Sequence, residues 1–372
     1  MNNFNQIVLL LQQNRYGEFL IIADAMRSFW NLLILYGLLF SSLGIHSSCV
    51  RDELEESIPH GVKSLNNKAD FMALLQDGSV MFFKVTGKTT CEVVSNPNGI
   101  MGNVTIPSLV SFEGEHFDVT EISAGAFSGC VGLRSISMPS SIHTIGERAF
   151  AGCEQLTQVV VPEDIREVKY RTFYNCRSLT KISLPSTVTM IDGEAFAGCQ
   201  KLAQFDIPDS LVILGERAFA GCASLQDVYL PITVKEIGSE AFAGCYSLLS
   251  MPIPFGVKHI EPWLMKDCKN LRELRLSDSV IYIADYAFKG CKNMKSVVLS
   301  SSCLTIGRWA FQGCDSLGTI VARSAKPPRL LKESFSCYQT AVVLVPVGAL
   351  NAYREAPHWK NFQHIRELKM AN

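Results

Sequence analysis

The chain has 372 residues, of which 48% are hydrophobic and 19% are charged, and its formal net charge is −1. This length is enough for two or three ordinary domains, and the apolar fraction is enough for a large buried core. A near-neutral charge excludes the bulk electrostatic attraction that draws basic proteins to nucleic acids or anionic membranes, so no nucleic-acid partner is expected.

The first 48 residues contain a predicted export signal. Its core, residues 26–48, has a positive residue at Arg27, an apolar stretch over residues 29–40 and small residues directly before Cys49. The segment resembles a lipoprotein signal, which implies cleavage before Cys49 and attachment of lipid to this cysteine. His46 departs from the Leu or Val usual in that motif, and the alternatives are cleaved secretion or an uncleaved membrane anchor.

Three further segments precede the repeats. Residues 1–25 precede the signal and are interpreted as an extension, with Met26 as the candidate start of translation. The polar residues 49–79 are predicted to be a linker. Over residues 80–121 the run "SVMFFKVTGKTTCEVV" alternates and "NPNG" favours a turn, which predicts a β-rich N-terminal cap.

Residues 122–324 repeat one sequence pattern at a constant interval, which equals the distance in sequence between Cys130 and Cys153. Nine of the 13 cysteines recur at this interval, on every twenty-third residue, whereas zinc sites need short Cys or His pairs and disulfide frameworks lack such regularity. The period lies within the range of leucine-rich repeats, so we interpret the block as nine repeats. The nine cysteines are Cys130, Cys153, Cys176, Cys199, Cys222, Cys245, Cys268, Cys291 and Cys314.

Each unit reads approximately I-G-x-x-A-F-x-G-C-x-x-L-x-x-I-x-L-P, followed by five linking residues. After the leucine, apolar and polar residues alternate, so Ile136 and Met138 are predicted to point inward while Ser135 and Ser137 point outward. This alternation predicts a short strand, and stacking in register predicts one parallel sheet of nine strands. The recurring Phe is expected to stack in an internal column, and the Gly before each Cys to adopt a turn conformation that other residues disfavour.

The regular cysteines have two interpretations. As small buried thiols they would pack like apolar residues, whereas a ladder of disulfides would need Cβ atoms about 3.8 Å apart. Side chains in an in-register ladder lie roughly 4.8 Å apart. Buried thiols are therefore the prediction.

Residues 325–372 are predicted to form a C-terminal cap. In this segment "AVVLVP" is typical of a strand and "GALNAYREA" of a helix. Trp359, Phe362 and Ile365 would then cover the last repeat, as a solenoid requires at its open end.

The unit "IGERAFAGCEQLTQVVVP" resembles the BspA-type leucine-rich repeat, and the nine units keep their spacing without an insertion or deletion. The stretches "GNVTIPSLVSFEGEHFDVTEISAGAFSGC" and "AKPPRLLKESFSCYQTAVVLVPVGALNAYREAPHWKNFQHI" are similar to the lead-in and closing segments of such arrays. The resemblance implies a repeat solenoid with a parallel β-ladder. It also implies a surface or secreted protein of anaerobic Gram-negative bacteria, where characterised members are adhesins that bind host matrix proteins or other cells.

No catalytic, metal or cofactor site is predicted. The seven histidines are scattered without metal-ligand spacing, and the chain contains neither a G-x-S-x-G nor a Walker motif. The regular cysteines are expected to be buried and therefore poor nucleophiles. The sequence thus favours a binding protein over an enzyme.

One column of the aligned repeats, two residues before each Phe, varies from unit to unit. Its polar members indicate that the column faces solvent, and its last three members are aromatic: Trp263, Tyr286 and Trp309. We expect these three to form an exposed aromatic stripe, which would suit a protein interface or, through flat rings, a sugar. The alternative is that the rings only cover apolar surface of neighbouring turns.

Basic residues recur in the same part of the array. Between residues 256 and 310, nine Lys or Arg residues stand against five Asp or Glu residues. This local excess predicts an acidic partner, either a protein segment or an anionic polysaccharide, although lysines in turns are often merely solvated. Six of these residues share three columns of two adjacent repeats and are called the basic patch: Lys266, Lys269, Arg272, Lys289, Lys292 and Lys295.

These features leave two main classes of function. The first is a cell-surface adhesion or interaction module that presents its repeats to host matrix or microbial proteins. The second is a glycan-capture or scaffold component of a surface nutrient-uptake system. A structural surface protein without a specific ligand is a third possibility.

Overall fold

A computed structural model of the chain describes residues 59–64, 68–75 and 77–368, which all belong to one compact unit, Ile58–Asn372. The predicted signal core over residues 26–48, the extension over residues 1–25 and the lipidation site at Cys49 lie outside the described residues.

A mixed sheet precedes the repeats. Its strands are β1 Gly61–Lys63, β2 Phe71–Leu74, β3 Val80–Val85, β4 Thr90–Val94, β6 Leu109–Phe112 and β7 Glu115–Ile122, and β5 Gly102–Thr105 leaves it to join the first repeat. The order is β1-β2-β3-β4-β7-β6, with antiparallel pairs except between β4 and β7. A seventh strand, β9 Thr144–Ile145 of the second unit, pairs in parallel with β7. The ring of Phe71 stacks on those of Phe83 and Phe112, at centroid distances of 5.3 and 4.7 Å, and fills the interior.

The sheet corrects part of the predicted linker over residues 49–79. Within the described residues of that segment, β1 and β2 pair with each other, and β2 also pairs with β3. Phe71 and Ala73 on β2 are fully buried. The apolar run of β2 is only four residues long, so it does not stand out from its polar surroundings in the sequence.

The repeats form a stack of short strands and turns, and the whole solenoid has about 11 turns. We number repeats 1 to 9 from the units that open at Ile122 and at every twenty-third residue after it. Their strands are β8 Leu133–Ser137, β9 Thr144–Ile145, β10 Gln158–Val160, β11 Glu167–Val168, β12 Lys181–Ser183, β13 Met190–Ile191, β14 Ile213–Leu214, β15 Glu236–Ile237, β16 His259–Ile260, β17 Glu273–Arg275, β18 Tyr282–Ile283, β19 Ser296–Leu299, β20 Thr305–Ile306, β21 Thr319–Ala322 and β22 Arg329–Leu330.

The strands that follow each leucine make a parallel ladder, here called the first ladder, but it is interrupted. One part joins β5, β8, β10 and β12, and the other begins at β17 and runs through β19 and β21. The prediction of one continuous sheet of nine strands is therefore wrong for repeats 4 to 6, where an isolated bridge between Asp227 and Ser250 is the pairing described. In repeat 6, Pro252 has no N–H to donate to a ladder. In repeat 4, Phe205 stands where earlier repeats have a β-branched residue, and its ring packs edge-to-face against Phe196 and Phe219.

A second ladder, which the sequence pattern did not reveal, consists of two-residue strands at the start of each unit. It joins β11, β13, β14 and β15, and then resumes from β16 through β18, β20 and β22. Partners are one repeat apart, as in the pairing of Ile191 with Leu214. Two residues are too few for an alternating pattern, so stacking of the repeats creates these strands.

The recurring phenylalanines stack in the core as predicted. Neighbouring rings from Phe127 to Phe242 lie 5.2 to 5.5 Å apart and nearly parallel. Met265 interrupts the column, and Phe288 and Phe311 continue it with centroids 5.1 Å apart. The core is thus one continuous apolar column within the solenoid.

The nine regular cysteines are buried free thiols, as predicted. They also have a role that the sequence did not show, because the thiol of each repeat after the first donates to a main-chain carbonyl of the preceding repeat. Cys222 Sγ, for example, lies 3.2 Å from the carbonyl oxygen of Phe196. Burial raises the pKa of Cys222 to about 12, so the thiol keeps its proton at neutral pH.

The predicted glycine turn holds in seven repeats, where the Gly before the Cys has φ between 73° and 78°. Asn175 and Asp267 take the same left-handed conformation in the other two, with φ of 56° and 60°. Both residue types tolerate this region better than most. The position therefore requires the conformation and does not require glycine.

The solenoid continues beyond residue 324, where the sequence prediction ended the repeats. Leu330 on β22 pairs into the second ladder beside Ile306, and the ring of Phe335 stacks on Phe311 at 4.8 Å. Cys337 follows Cys314 at the regular interval, but Phe335 comes one position later than the interval from Phe311 requires. This small shift hides the tenth turn from a strict repeat count.

The last turns contain the predicted strand and helix. Strand β23 Val342–Val345 and strand β24 His364–Glu367 extend the first ladder, with helix α1 Leu350–Glu355 and a 3-10 helix Trp359–Asn361 between them. Trp359, Phe362 and Ile365 are buried. The indole Nε1 of Trp359 donates to the carbonyl oxygen of Pro328 at 2.7 Å, which fixes this segment to the end of the array.

Candidate binding surface

The variable column two residues before each Phe is called the turn column, and its backbone is left-handed throughout. Gly125 begins the column with φ of 67°. A left-handed conformation costs a residue with a Cβ about 1–2 kcal/mol, and it persists because the N–H groups bond to the next repeat, as from Arg148 to the carbonyl of Tyr170. The non-glycine members, with φ between 53° and 61°, are Arg148, Arg171, Glu194, Arg217, Glu240, Trp263, Tyr286, Trp309 and Glu333.

Four charged members of the N-terminal part of the column form two ion pairs between adjacent repeats. The guanidinium of Arg171 donates to both carboxylate oxygens of Glu194 at 2.9 to 3.1 Å, and also stacks between Tyr170 and Tyr174. Arg217 pairs with Glu240 at 3.0 Å. Burial alone would raise the pKa of Glu194, but its hydrogen bond to Arg171 and the charge of that residue lower it below the usual value.

The aromatic stripe of Trp263, Tyr286 and Trp309 is contiguous. Its rings stack face to face, with centroid distances of 5.5 and 5.1 Å and interplanar angles of 16° and 18°. Trp263 is 37% exposed and the other two are half-buried. Stacking covers both faces of Tyr286 and one face of each tryptophan, so the three rings do not form one flat platform for a sugar.

Polar contacts join the stripe to its surroundings. The indole Nε1 of Trp309 donates to Glu333 at 2.9 Å, which continues the column beyond the stripe. The ammonium of Lys289 lies 5.2 Å from the ring centroid of Tyr286, within range of a cation–π contact. The stripe and the basic patch therefore meet at repeat 8.

The basic patch occupies the corner between the turn column and the first ladder. Equivalent residues of repeats 7 and 8 are neighbours, since the N–H of Lys295 donates to the carbonyl of Arg272 at 2.7 Å. Lys269, Arg272, Lys292 and Lys295 are exposed, and Lys266 and Lys289 are half-buried. Among the described residues, none of the six forms an ion pair.

Tyr246 belongs beside this patch, although the sequence comparison of columns did not single it out. Its ring is exposed, and the ammonium of Lys269 lies 4.5 Å from its centroid. Tyr246 and Lys269 stand one repeat apart in the column that follows each Cys. Aligning that column for aromatic as well as basic residues would have found the contact.

The described residues were also compared with the requirements of a metal site and of a membrane-spanning helix. No group of three or more His, Cys, Asp or Glu side chains in residues 59–64, 68–75 and 77–368 is arranged to hold a metal ion. In the same ranges, no helix combines the length and apolar character needed to cross a bilayer.

Comparisons with known proteins agree with the repeat architecture. The sequence profile described as BspA type Leucine rich repeat region matches in six copies, over residues 120–249 and 212–338. A leucine-rich repeat protein from Bacteroides ovatus has a similar solved structure, with 23% identity, a TM-score of 0.55, and coverage of 77% of this chain and 88% of that one. At this identity the similarity supports the fold alone.

Two other solved structures are more distant in shape. A leucine rich cell surface protein from Faecalibacterium prausnitzii has 21% identity and a TM-score of 0.47, covering 78% of this chain and 93% of that one. A leucine-rich repeat protein from T. pallidum has 30% identity and a TM-score of 0.37, covering 64% and 87% respectively. No protein of curated function matches the chain.

Proposed function

Since this chain belongs to the family of BspA-type leucine-rich repeat proteins, we propose that it is a non-catalytic binding protein of the bacterial cell surface. Its partners are host matrix proteins or proteins of other microbes. Stacked repeats hold rows of exposed side chains on a fixed backbone, which suits recognition of a broad or extended partner.

The observation that carries the proposal is the concentration of uncompensated charge in repeats 7 and 8. Six basic side chains lie on two adjacent turns without an ion pair to any described residue, beside aromatic rings with exposed edges. Aromatic and Arg residues dominate binding energy at protein interfaces. We therefore assign the ligand site to the basic patch and the aromatic stripe, and its ligand to an acidic protein segment.

The alternative is a glycan-capture or scaffold role in nutrient uptake. The basic patch would suit an anionic polysaccharide equally well by charge. The stacked stripe favours the protein ligand, because sugars bind to open ring faces, and stacking covers both faces of Tyr286 and one face of each tryptophan.

The proposed location is the cell surface, as an outer-membrane lipoprotein attached through Cys49, or the medium after secretion. No cofactor takes part in this function. Cys49 and the signal that precedes it support the location by their sequence pattern.

The test measures binding of the purified protein to arrays of matrix proteins, microbial surface proteins and polysaccharides. Lys269→Glu, Arg272→Glu and Lys292→Glu together should weaken protein binding at least about tenfold, and added salt should weaken the unmodified protein similarly. A matched control reverses three exposed lysines in other repeats, by Lys181→Glu, Lys201→Glu and Lys235→Glu, and should bind normally.

Three results would contradict the assignment. Undiminished protein binding by the patch variant would move the site elsewhere. Equal loss in the control variant would show a general effect of charge. Binding only to polysaccharides would favour the glycan-capture role over the protein ligand.

A further inference from the structure

The interrupted region of the first ladder exposes a group of large apolar side chains. Tyr229 and Phe255 are each 71% exposed and Ile232 is 85% exposed, and Pro252 is exposed beside them. They come from the adjacent repeats 5 and 6, and Ile232 and Phe255 occupy the same column. We call these four residues the apolar centre.

The backbone shows that the two loops of the apolar centre are in contact. Gly256 of repeat 6 packs directly on the loop of repeat 5. A Cβ atom added to it would lie only 2.6 Å from the carbonyl oxygen of Val234 and 3.7 Å from that of Ile232. The residues preceding each loop are joined by the bridge between Asp227 and Ser250. The exposed side chains therefore form one patch, and contiguous exposed apolar groups are characteristic of interaction sites.

Opposite charges flank the apolar centre along the solenoid axis. On its N-terminal side, in repeats 4 and 5, Asp206, Asp209 and Asp227 are exposed and form no ion pair with a described residue. On its C-terminal side, in repeats 7 and 8, Arg272 and Lys295 of the basic patch are likewise exposed and form no ion pair with a described residue. Exposed Glu273 and Arg275 of repeat 7 pair with each other at 4.0 Å, so the charge at this end remains positive in balance. An acidic end, an apolar middle and a net basic end thus follow one another.

The acidic and basic ends face the same side of the molecule. In repeats 1 and 2, a groove of about 520 Å³ is lined jointly by Arg134 and Ser135. Arg134 occupies the column of Arg272 and Lys295, and Ser135 occupies the column of Asp227. Asp206 and Asp209 occupy the columns of Tyr229 and Ile232, so they share the face of the apolar centre. The columns stay in register through repeats 4 to 7, because the N–H groups of Gln226, Leu249 and Arg272 each donate to the equivalent residue of the preceding repeat.

This order of charges is self-complementary. Two copies that meet face to face in antiparallel orientation place the acidic end of each against the basic end of the other. The two-fold axis then passes near repeat 6, so Pro252 and Phe255 of the two copies meet at the axis, with Tyr229 and Ile232 one repeat away from it. An apolar core with a charged rim is the usual anatomy of a protein interface, and a two-fold arrangement closes after two copies.

We propose that this face docks a second copy of the chain, giving an antiparallel two-fold dimer through the apolar centre. This inference goes beyond the proposed ligand site, although both use Arg272 and Lys295. In the dimer these two side chains would face the second copy, so the second copy and an acidic ligand would compete for them.

The apolar test measures the mass of the purified protein in solution by sedimentation, over a range of concentrations. The unmodified protein should reach twice the monomer mass. Tyr229→Ser with Phe255→Ser should raise the dissociation constant of the dimer at least about tenfold. Val160→Ser is the matched control, because Val160 is also 71% exposed on the first ladder but lies in repeat 2.

The charge test uses two variants. The first carries Asp206→Lys, Asp209→Lys and Asp227→Lys, and the second carries Arg272→Glu and Lys295→Glu. Each alone should remain monomeric because like charges then face each other, whereas an equimolar mixture should form a mixed dimer.

The proposal is overturned if the unmodified protein stays monomeric at all concentrations, or if both charge variants dimerise alone. It is also overturned if the Val160 control and the apolar variant weaken the dimer equally. The apolar variant leaves the basic patch intact, so it should still bind the protein ligand. Loss of the dimer with normal ligand binding therefore separates this inference from the proposed function.

Discussion

The two halves of the turn column share a backbone and differ in what they present to solvent. From Arg148 to Glu240 and from Trp263 to Glu333, each member has the same left-handed φ. In the first half, Arg171 pairs with Glu194 and Arg217 with Glu240. In the second half, rings stack, and the six residues of the basic patch have no acidic partner among the described residues. The core therefore fixes the scaffold, while the outer columns are free to change along it.

The largest expected effect tests whether the core is equivalent in both halves. Phe173→Ala and Phe288→Ala should each lower the free energy of unfolding by about 3–5 kcal/mol, because each removes a fully buried ring and leaves a cavity. Chemical denaturation measures both. If one variant loses much more unfolding free energy than the other, the core is not equivalent in the two halves of the solenoid.

A smaller effect should distinguish the paired charges from the unpaired ones. Glu194→Gln should cost about 1 kcal/mol, near the upper end for a partly exposed ion pair, because it breaks a bidentate contact. Lys292→Ala should change the unfolding free energy by less than about 0.5 kcal/mol, since no described residue pairs with that charge. Denaturation of both variants beside the unmodified protein measures the difference, and equal costs would contradict it.

The effect of Glu194 also has a defined pH dependence. Its pKa is lowered in the folded protein, so the stabilisation is present above the ordinary value of 4.5 and is lost as the pH falls through the lowered pKa. Denaturation of the Glu194→Gln and unmodified proteins at neutral pH and again well below that ordinary value measures this. A difference that persists unchanged in acid would contradict an origin in the ion pair.

The smallest effect concerns backbone strain, and its sign should differ between the halves. Arg148→Gly should raise the unfolding free energy by up to about 1 kcal/mol, because relief of the left-handed strain exceeds the loss of the cation–π contact between Arg148 and Tyr170. Tyr286→Gly gains the same relief but loses two ring stacks, each worth about 0.5–1.5 kcal/mol, and should be neutral or destabilised. Thermal or chemical unfolding compares the two, and stabilisation of both variants would show that the aromatic stripe adds nothing to the fold.

Much of the scaffold could be predicted because the periodic residues are buried ones. Phe127, Cys130 and Leu133 and their equivalents must fill a narrow core at every turn, so their spacing survives in the sequence. Where the spacing slips by one position, as at Phe335, the prediction stopped early. Where an exposed or short element carries no pattern, as in β2 or the second ladder, it was missed.

The candidate surface was predictable only in part. The aligned columns showed that Trp263, Tyr286 and Trp309 come from consecutive repeats. They did not show the orientation of the rings, which follows from the close approach of successive turns. The partnership of Tyr246 with Lys269 required the same three-dimensional information.

The period, the buried columns and the family can be read from the amino-acid sequence, because they depend on which side chains must be apolar at a fixed interval. Only the folded chain shows where the first ladder is interrupted, which charges are paired and which apolar side chains remain exposed. Those properties depend on contacts between repeats, where Pro252 withholds a hydrogen bond and Arg171 finds Glu194 one turn away. The repeat pattern describes the residues that all turns share, whereas the proposed function depends on the exposed residues that differ from one turn to the next.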